Sequence, residues 1–290
     1  MRQLRQRMLD ALVLRGKAVH TQRAYVEAVA RLARHYGRSP DRLTVDEVHQ
    51  YLLHLLRERR LSRSSVNQYS CAYRFFFGTV LGLDGEAFQI PLAAAAQQLP
   101  EILSREELAL LFAAASHLKS RTFLMVAYGT GLRVSELCRL RAPDIDSHAD
   151  RMCIRVERGK GAKDRYVPLA EDVLQLLRSW WRRARPKIWL FGAAADSKLP
   201  MDVQTAQGWY RAARARAGIT KVGGIHTLRH CYATHMLEAG VDLHSLSQWL
   251  GHNHVSTTTR YLHVARPGAP DGARREPLAL LRAIPPIVKH

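Results

Sequence analysis

The chain has 290 residues, of which 47% are hydrophobic and 24% charged, enough apolar material for a packed core and too much for a disordered chain. Its 44 Lys and Arg against 25 Asp and Glu give a formal charge of +19, a surplus that suits a polyanion such as nucleic acid or an acidic membrane surface. Cys71, Cys138, Cys153 and Cys231 lie far apart with no CxxC, which argues against a disulfide framework or cysteine-rich zinc site and fits a reduced cytoplasm; no run approaches the ~18 apolar residues of a membrane span.

The opening MRQLRQRMLDALVLRGK reads as a basic first helix, since Asp10 interrupts its apolar stretch and no small-residue cleavage site follows. Tyr25, Val29, Leu32 and Tyr36 then recur at helix spacing. A second periodic segment opens with Thr44-Val-Asp-Glu47, a capping-box pattern, and carries Val48, Tyr51, Leu52 and Leu55 on one stripe. A third follows Ser62 and aligns Val66, Tyr69, Tyr73, Phe76 and Phe77, aromatics that suit a core better than a base-stacking surface. Arg57, Arg59, Arg60 and Arg63 cluster at the junction between the last two, either as a solvated charge run or as phosphate contacts.

Charge divides the chain. Residues 1–85 hold 15 basic and 7 acidic side chains, residues 86–100 hold only Glu86, and residues 101–270 hold 25 basic and 15 acidic. The expectation is two basic lobes, 1–85 and 101–270, joined by a linker at 86–100 that Pro91 and Pro100 bracket, with a tail at 271–290.

The second lobe starts with another capping box, Ser104-Arg-Glu-Glu107. A helix over 121–128 is expected to stop at Gly129-Thr-Gly131. Arg133 follows at a helix start, where free N–H groups and a guanidinium suit an anion, although pairing with Glu136 three residues on is the plainer role. Residues 152–156 and 166–169 read as two strands joined by ERGKGAKDR, with Lys160 at the tip and Lys163 after it; GxxxxGK[ST] is absent, so this is not a Walker A loop. Most segments from 172 onward read as helical.

In His226-Thr-Leu-Arg229-His230, His226 and Arg229 can face one phosphate from a helix start, or His226 and His230 can form a zinc pair; for His230 a satisfied structural histidine is the preferred reading. Asp242 can cap a helix that Gly251 ends, leaving His252 just past it, and Ser256 can cap a short helix carrying Tyr261. In the tail, Leu278, Leu281 and Ile284 fall on one face of a short helix starting at Pro277.

GTGLRVSEL, GKGAKDRYVPL, HTLRHCYATHMLEAG and LGHNHVSTTTRYLHV together resemble, in order, the motifs of the tyrosine recombinase (phage integrase) family, especially its Xer-like simple site-specific recombinases, over roughly residues 20–266. The resemblance implies a mainly α fold: an N-terminal helical, SAM-like core-binding domain and a mostly α catalytic domain with a small antiparallel β-sheet. It implies that Arg133 and Arg229 clamp the scissile phosphate, that Tyr261 attacks it to give a 3′-phosphotyrosyl intermediate, and that Lys160 protonates the leaving oxygen, with Lys163 as a backup. His226 would serve in proton transfer, His252 would hydrogen-bond the phosphate and Glu136 would orient Arg133. Ile225 stands where the family often has proline.

On this reading no metal, ATP or other cofactor takes part. The partners are double-stranded DNA bearing a recombination site and further copies of the chain, in a tetramer on two such sites, with the tail exchanged between protomers or packed on its own lobe. The other readings are a catalytically inactive DNA-binding relative, which should have lost one of the six residues, and a metal-dependent nuclease, which needs more carboxylates near the histidines than the sequence offers.

Overall fold

The computed structural model describes residues 2–83, 99–157, 164–252, 256–265 and 278–282. The chain divides into two compact units, residues 1–97 and 98–290.

The first unit is helical: α1 (Arg2–Leu14), α2 (Val19–Tyr36), α3 (Val45–Arg57) and α4 (Arg63–Arg74), the last running into a π-turn at Phe75–Val80. The expected capping box is formed at α3, where the Glu47 N–H donates to Thr44 Oγ1 and the Thr44 N–H donates to Glu47 Oε2 at 2.9 Å. Met8 and Leu12 of α1, Leu32 of α2, Val48 and Leu52 of α3 and Tyr73 of α4 make the core, and the wide π-turn lets consecutive Phe76 and Phe77 join it. The aromatics are therefore packing, while Arg57, Arg59, Arg60 and Arg63 are all exposed.

The second unit comprises α5 (Arg105–Ala113), α6 (Leu118–Thr130), α7 (Val134–Leu137), β1 (Ile145–Asp146), β2 (Cys153–Val156), β3 (Arg165–Pro168), α8 (Glu171–Ala184), α9 (Val203–Arg216), α10 (His226–Glu238), α11 (Leu243–Leu250) and α12 (Ser256–Thr259). The strands form one antiparallel sheet in the order β1-β2-β3, with Ile154 opposite Val167 and Val156 opposite Arg165. Ile154, Val156 and Val167 point into the core while Arg155 and Tyr166 face out, the alternation of a half-buried sheet. Helices α6 and α10 pack on each other and are buried along most of their length, so the core itself holds the helix ends from which the site is built.

Local expectations and structure differ at four places. α6 runs through Gly129 to Thr130 and ends at Gly131, because the buried helix is held by its neighbours and one glycine does not break it. A third strand, β1, joins the two expected; its two residues are too few to show a pattern. α12 ends at Thr259, so Tyr261 lies in the turn after it and not on the helix. Of the expected tail helix, the described residues form a 3-10 turn at Ala279–Leu281, with Leu278 and Leu281 buried in this unit's core and Arg282 Nε 2.7 Å from Asp172. Most of the 86–100 segment and the rest of the tail lie outside the described residues, as do Lys160 and Lys163. Among the described residues no helix is long and apolar enough to cross a membrane.

Candidate active site

The site is built on the C-terminal end of α11. The last carbonyls of any helix lack intrahelical partners and carry the negative end of its dipole. Here three arginines from three other parts of the unit take three consecutive carbonyls: Arg165 Nε donates to Trp249 O at 2.8 Å, an Arg229 terminal nitrogen to Leu250 O at 2.5 Å, and an Arg133 terminal nitrogen to Gly251 O at 2.7 Å. Gly251 closes the helix in the left-handed region at φ 62, and a Cβ there would come within 2.8 Å of the Arg165 side chain. The guanidiniums are thus brought together by one helix end.

Arg133 reaches this point from the end of α6. Gly131 turns the chain at φ 60, and its missing Cβ leaves room for the Tyr232 ring, which a methyl group would meet at 2.4 Å. That close passage of α10 lets Arg229 also donate to Gly131 O at 2.7 Å. The helix start expected to favour an anion at Arg133 is only the four-residue α7, so backbone N–H groups contribute little, and the side chain itself is what matters.

Glu136 ties the arginines together. It receives Arg133 at 2.9 Å and both terminal nitrogens of Arg165, at 2.9 and 2.7 Å. Burial alone would raise its pKa; hydrogen bonds and charge from Arg165, then Arg133, overcome this and hold it ionised below the ordinary carboxylate range. Among the described residues Arg229 touches no such carboxylate. It is 2% exposed, held by carbonyl oxygens and by His252 Nε2 at 3.2 Å, and burial followed by the charge of Arg133 pulls its pKa down to about 10. A buried guanidinium facing another cation and held by neutral acceptors is a setting that suits an anion.

Tyr261 stands beside it. Its side chain is 1% exposed, its hydroxyl is 2.9 Å from His230 Nδ1, and its ring lies nearly parallel to that of His252, with centroids 6.4 Å apart. Burial raises its pKa, with Arg229 and Arg260 opposing. Since Arg229 donates to Nε2 of His252, the proton of that ring is on Nδ1 and points at Thr258 Oγ1, 2.7 Å away. His226 reaches the surface at the first turn of α10 and stands edge-on to His230, 4.7 Å between centroids. Desolvation and the arginine charges lower the pKa of His226 to about 4 and that of His252 to about 3; His230, desolvated and beside His226, Arg260 and Arg229, is also near 3. At neutral pH all three are uncharged.

Arg133, Glu136, His226, Arg229, His252 and Tyr261 are therefore gathered in one place, although they span 129 positions of the chain. Two members escaped sequence reasoning. Arg165 carried a legible signal, because it shares a strand face with inward-pointing Val167, an odd place for an arginine without a buried partner. His230 is satisfied, as expected of a structural histidine, but the sequence did not show that its partner is the Tyr261 hydroxyl, 31 residues away. Among the described residues no third His, Cys, Asp or Glu joins His226 and His230 in a metal-binding group.

Comparison with known proteins agrees with this architecture. Residues 4–86 match the phage integrase N-terminal SAM-like domain, and residues 97–267 match the phage integrase family. A putative integrase/recombinase, y4qK, of Sinorhizobium fredii is 38% identical, covering 90% of this chain and 84% of its own length. Tyrosine recombinase XerA of Thermococcus kodakarensis is 36% identical, covering 87% and 88%. The crystal structure of a lambda integrase tetramer bound to a Holliday junction shares the fold, with a TM-score of 0.73 at 19% identity, over 90% of this chain and 76% of that one. A SAM-like helical unit followed by a mainly α unit with one small sheet, relatives across nearly the whole length and both family matches in order make the conclusion direct: the chain belongs to the phage integrase family and is a tyrosine recombinase.

Proposed function

We propose that this chain cuts and rejoins DNA through Tyr261, and that a scissile phosphate binds between Arg133 and Arg229. The observation that supports this best is the pair of guanidiniums on the adjacent carbonyls of Leu250 and Gly251, with the tyrosine beside them. A phosphodiester there relieves their mutual repulsion and receives two charge-assisted forks that strengthen as charge develops on the phosphoryl oxygens. The Tyr261 oxygen forms the new bond to phosphorus and the bond to the 5′ oxygen breaks, leaving a 3′-phosphotyrosyl link and a 5′-hydroxyl. Lys160 protonates the departing oxygen, and His226, at the mouth of the site, serves proton transfer on the DNA side. His252 must exchange its acceptor bond from Arg229 for a donor bond to phosphate when DNA enters. Glu136 positions Arg133 and, through Arg165, the β3 strand.

The phosphotyrosyl bond conserves the energy for religation, so the reaction needs no ATP, and the arginines and lysine supply the charge that a metal ion provides elsewhere. The partners on this reading are double-stranded DNA with a recombination site and, as in the lambda integrase tetramer on a Holliday junction, three further copies of the chain. Residues 1–85 act as the core-binding domain, with the exposed arginines at 57–63 on phosphates, residues 86–100 as linker, 101–270 as the catalytic domain and 271–290 as a tail that can exchange between protomers. The setting is the cytoplasm.

The test is a pool of random-sequence duplexes, nicked near the centre so that cleavage releases a short strand and traps the protein. Wild type should form a covalent adduct with a selectable sequence, in the presence of excess EDTA, and Tyr261→Phe should bind the same duplex without forming it. An adduct undiminished in Tyr261→Phe, or one lost to EDTA and restored by a divalent metal, overturns the proposal.

A further inference from the structure

Resting on the assignment of Tyr261 as nucleophile, we propose that His230 is the base that takes the tyrosine's hydroxyl proton during attack. A phenol attacks phosphorus only as it loses its proton, so some group must stand at the hydroxyl to receive it. His230 Nδ1 is that neighbour, at 2.9 Å. The other two histidines of the cluster are otherwise placed. His252 has both nitrogens engaged, Nε2 with Arg229 and Nδ1 with Thr258, and its ring lies over the phenol ring. His226 is the exposed member, one helical turn before His230 and edge-on to it. Its place at the opening suits the DNA side of the reaction, not the tyrosine side.

The transfer uses the tautomer in which Tyr261 O–H donates to Nδ1 and the His230 proton is on Nε2. In the forward step the Oη–H bond breaks, the proton passes to Nδ1, the Oη–P bond forms, and the P–O5′ bond breaks with a proton delivered to O5′ by the leaving-group acid. His230 ends protonated and that acid deprotonated. Religation runs the same transfers backward, so a full cycle restores both groups. The charged groups facing His230 are Arg229 and the neutral His226 on its own helix, and Arg260 beside Tyr261 on the following turn. These disfavour imidazolium while the site is empty. A phosphate anion seated on Arg133 and Arg229 offsets them, so the base becomes effective only with DNA in place.

The experiment uses the full chain and a nicked duplex selected by covalent capture on the wild type. His230→Asn puts an amide oxygen near the position of Nδ1, keeping an acceptor for the hydroxyl while removing the base. Single-turnover adduct formation should fall by roughly 10²-fold or more, with duplex affinity and melting temperature within error of wild type. Replacing Tyr261 by a trifluorotyrosine, whose phenol is more acidic, should restore most of the lost rate in the His230→Asn background and not raise it in the wild-type background. His230→Gln provides a second variant if Asn perturbs folding. A 5′-bridging phosphorothiolate duplex, which needs no leaving-group acid, should not rescue either variant. Adduct formation by His230→Asn at the wild-type rate overturns the base assignment, and so does a slow variant that the acidic phenol fails to rescue. Absence of any Tyr261-dependent adduct in the wild type overturns the recombinase reading itself, and the base with it.

Discussion

The two units handle their charges in opposite ways. In the N-terminal unit arginines lie on the surface and ion pairs are solvated, as with Glu27, which is 51% exposed while pairing with Arg31 and Arg34. In the C-terminal unit a carboxylate only 11% exposed holds two guanidiniums, and a third guanidinium is buried with no carboxylate in contact among the described residues. Exposed charge gives affinity that is spread over many groups and easily replaced. Buried charge is costly to create and fails sharply when one member is removed, so it belongs where geometry decides chemistry.

The sharpest way to break this contrast is to make one change in both places. Glu136→Gln removes the anion from a buried network and should destabilise the C-terminal unit by about 3–5 kcal/mol. Glu27→Gln, with as many arginine partners, should cost no more than about 1 kcal/mol. Denaturant melts of the full chain, followed by far-UV circular dichroism for both units and by tryptophan fluorescence for the C-terminal unit, which holds all five tryptophans, measure both; equal losses would show that burial does not separate the units. Next in size is Arg229→Lys. The ammonium keeps the charge but cannot span Gly131 O, Leu250 O and a phosphate with one planar fork, so adduct formation should fall roughly 10²- to 10³-fold while duplex affinity changes little.

A gentler test addresses the surface. Changing Arg57, Arg59, Arg60 and Arg63 together to Gln should weaken duplex binding and flatten the plot of log affinity against log salt by up to about 0.9 for each phosphate left unneutralised. At saturating DNA the rate of adduct formation should be unchanged; a fall there would move these arginines into the catalytic machinery.

The last effect is on thermal stability in mild acid. His226, His230 and His252 have pKa values near 4, 3 and 3 in the folded unit, below the ordinary histidine value. The unfolded chain therefore binds more protons below about pH 6.5, so stability is complete above that pH and declines as pH falls toward the folded values. Melting temperature, followed by calorimetry, should drop between pH 7 and 5 by about 2–4 °C for each kcal/mol lost. A flat profile would contradict the half-buried, cation-crowded setting of His230 and His252.

What could be read beforehand tracks how local each feature is. Both capping boxes, Thr44 with Glu47 and Ser104 with Glu107, and the end of α11 at Gly251 involve neighbours within a few residues and appear in the fold as expected. The six residues assigned to catalysis, together with Glu136, came from motifs held in order along the chain, and those among the described residues converge. Features set by distant partners left at most a hint, such as an arginine on the inward face of β3, and never the partner itself. Arg165 meets Glu136 across 29 positions, and the role of His230 depends on where a turn 31 residues away places Tyr261. α6 passes through Gly129 because its neighbours bury it, and a window of sequence around that glycine does not show them.

The near-complete burial of Tyr261 has a consequence for a cell's chromosome. A strongly basic protein meets unrelated DNA constantly, and a genome offers about 10⁶–10⁹ such competing sites for every intended one. Were the phenol open to any phosphate that drifted in, even rare attack multiplied by that number would leave lasting protein-capped breaks. On the proposed assignment, the hydroxyl held on His230 and the ring beside His252 leave a drifting phosphate no open phenol, and only a phosphate seated on Arg133 and Arg229 comes to it. Selectivity for the correct site then has two stages, the grip on the duplex and the seating of its phosphate on the two arginines, and their discriminations multiply.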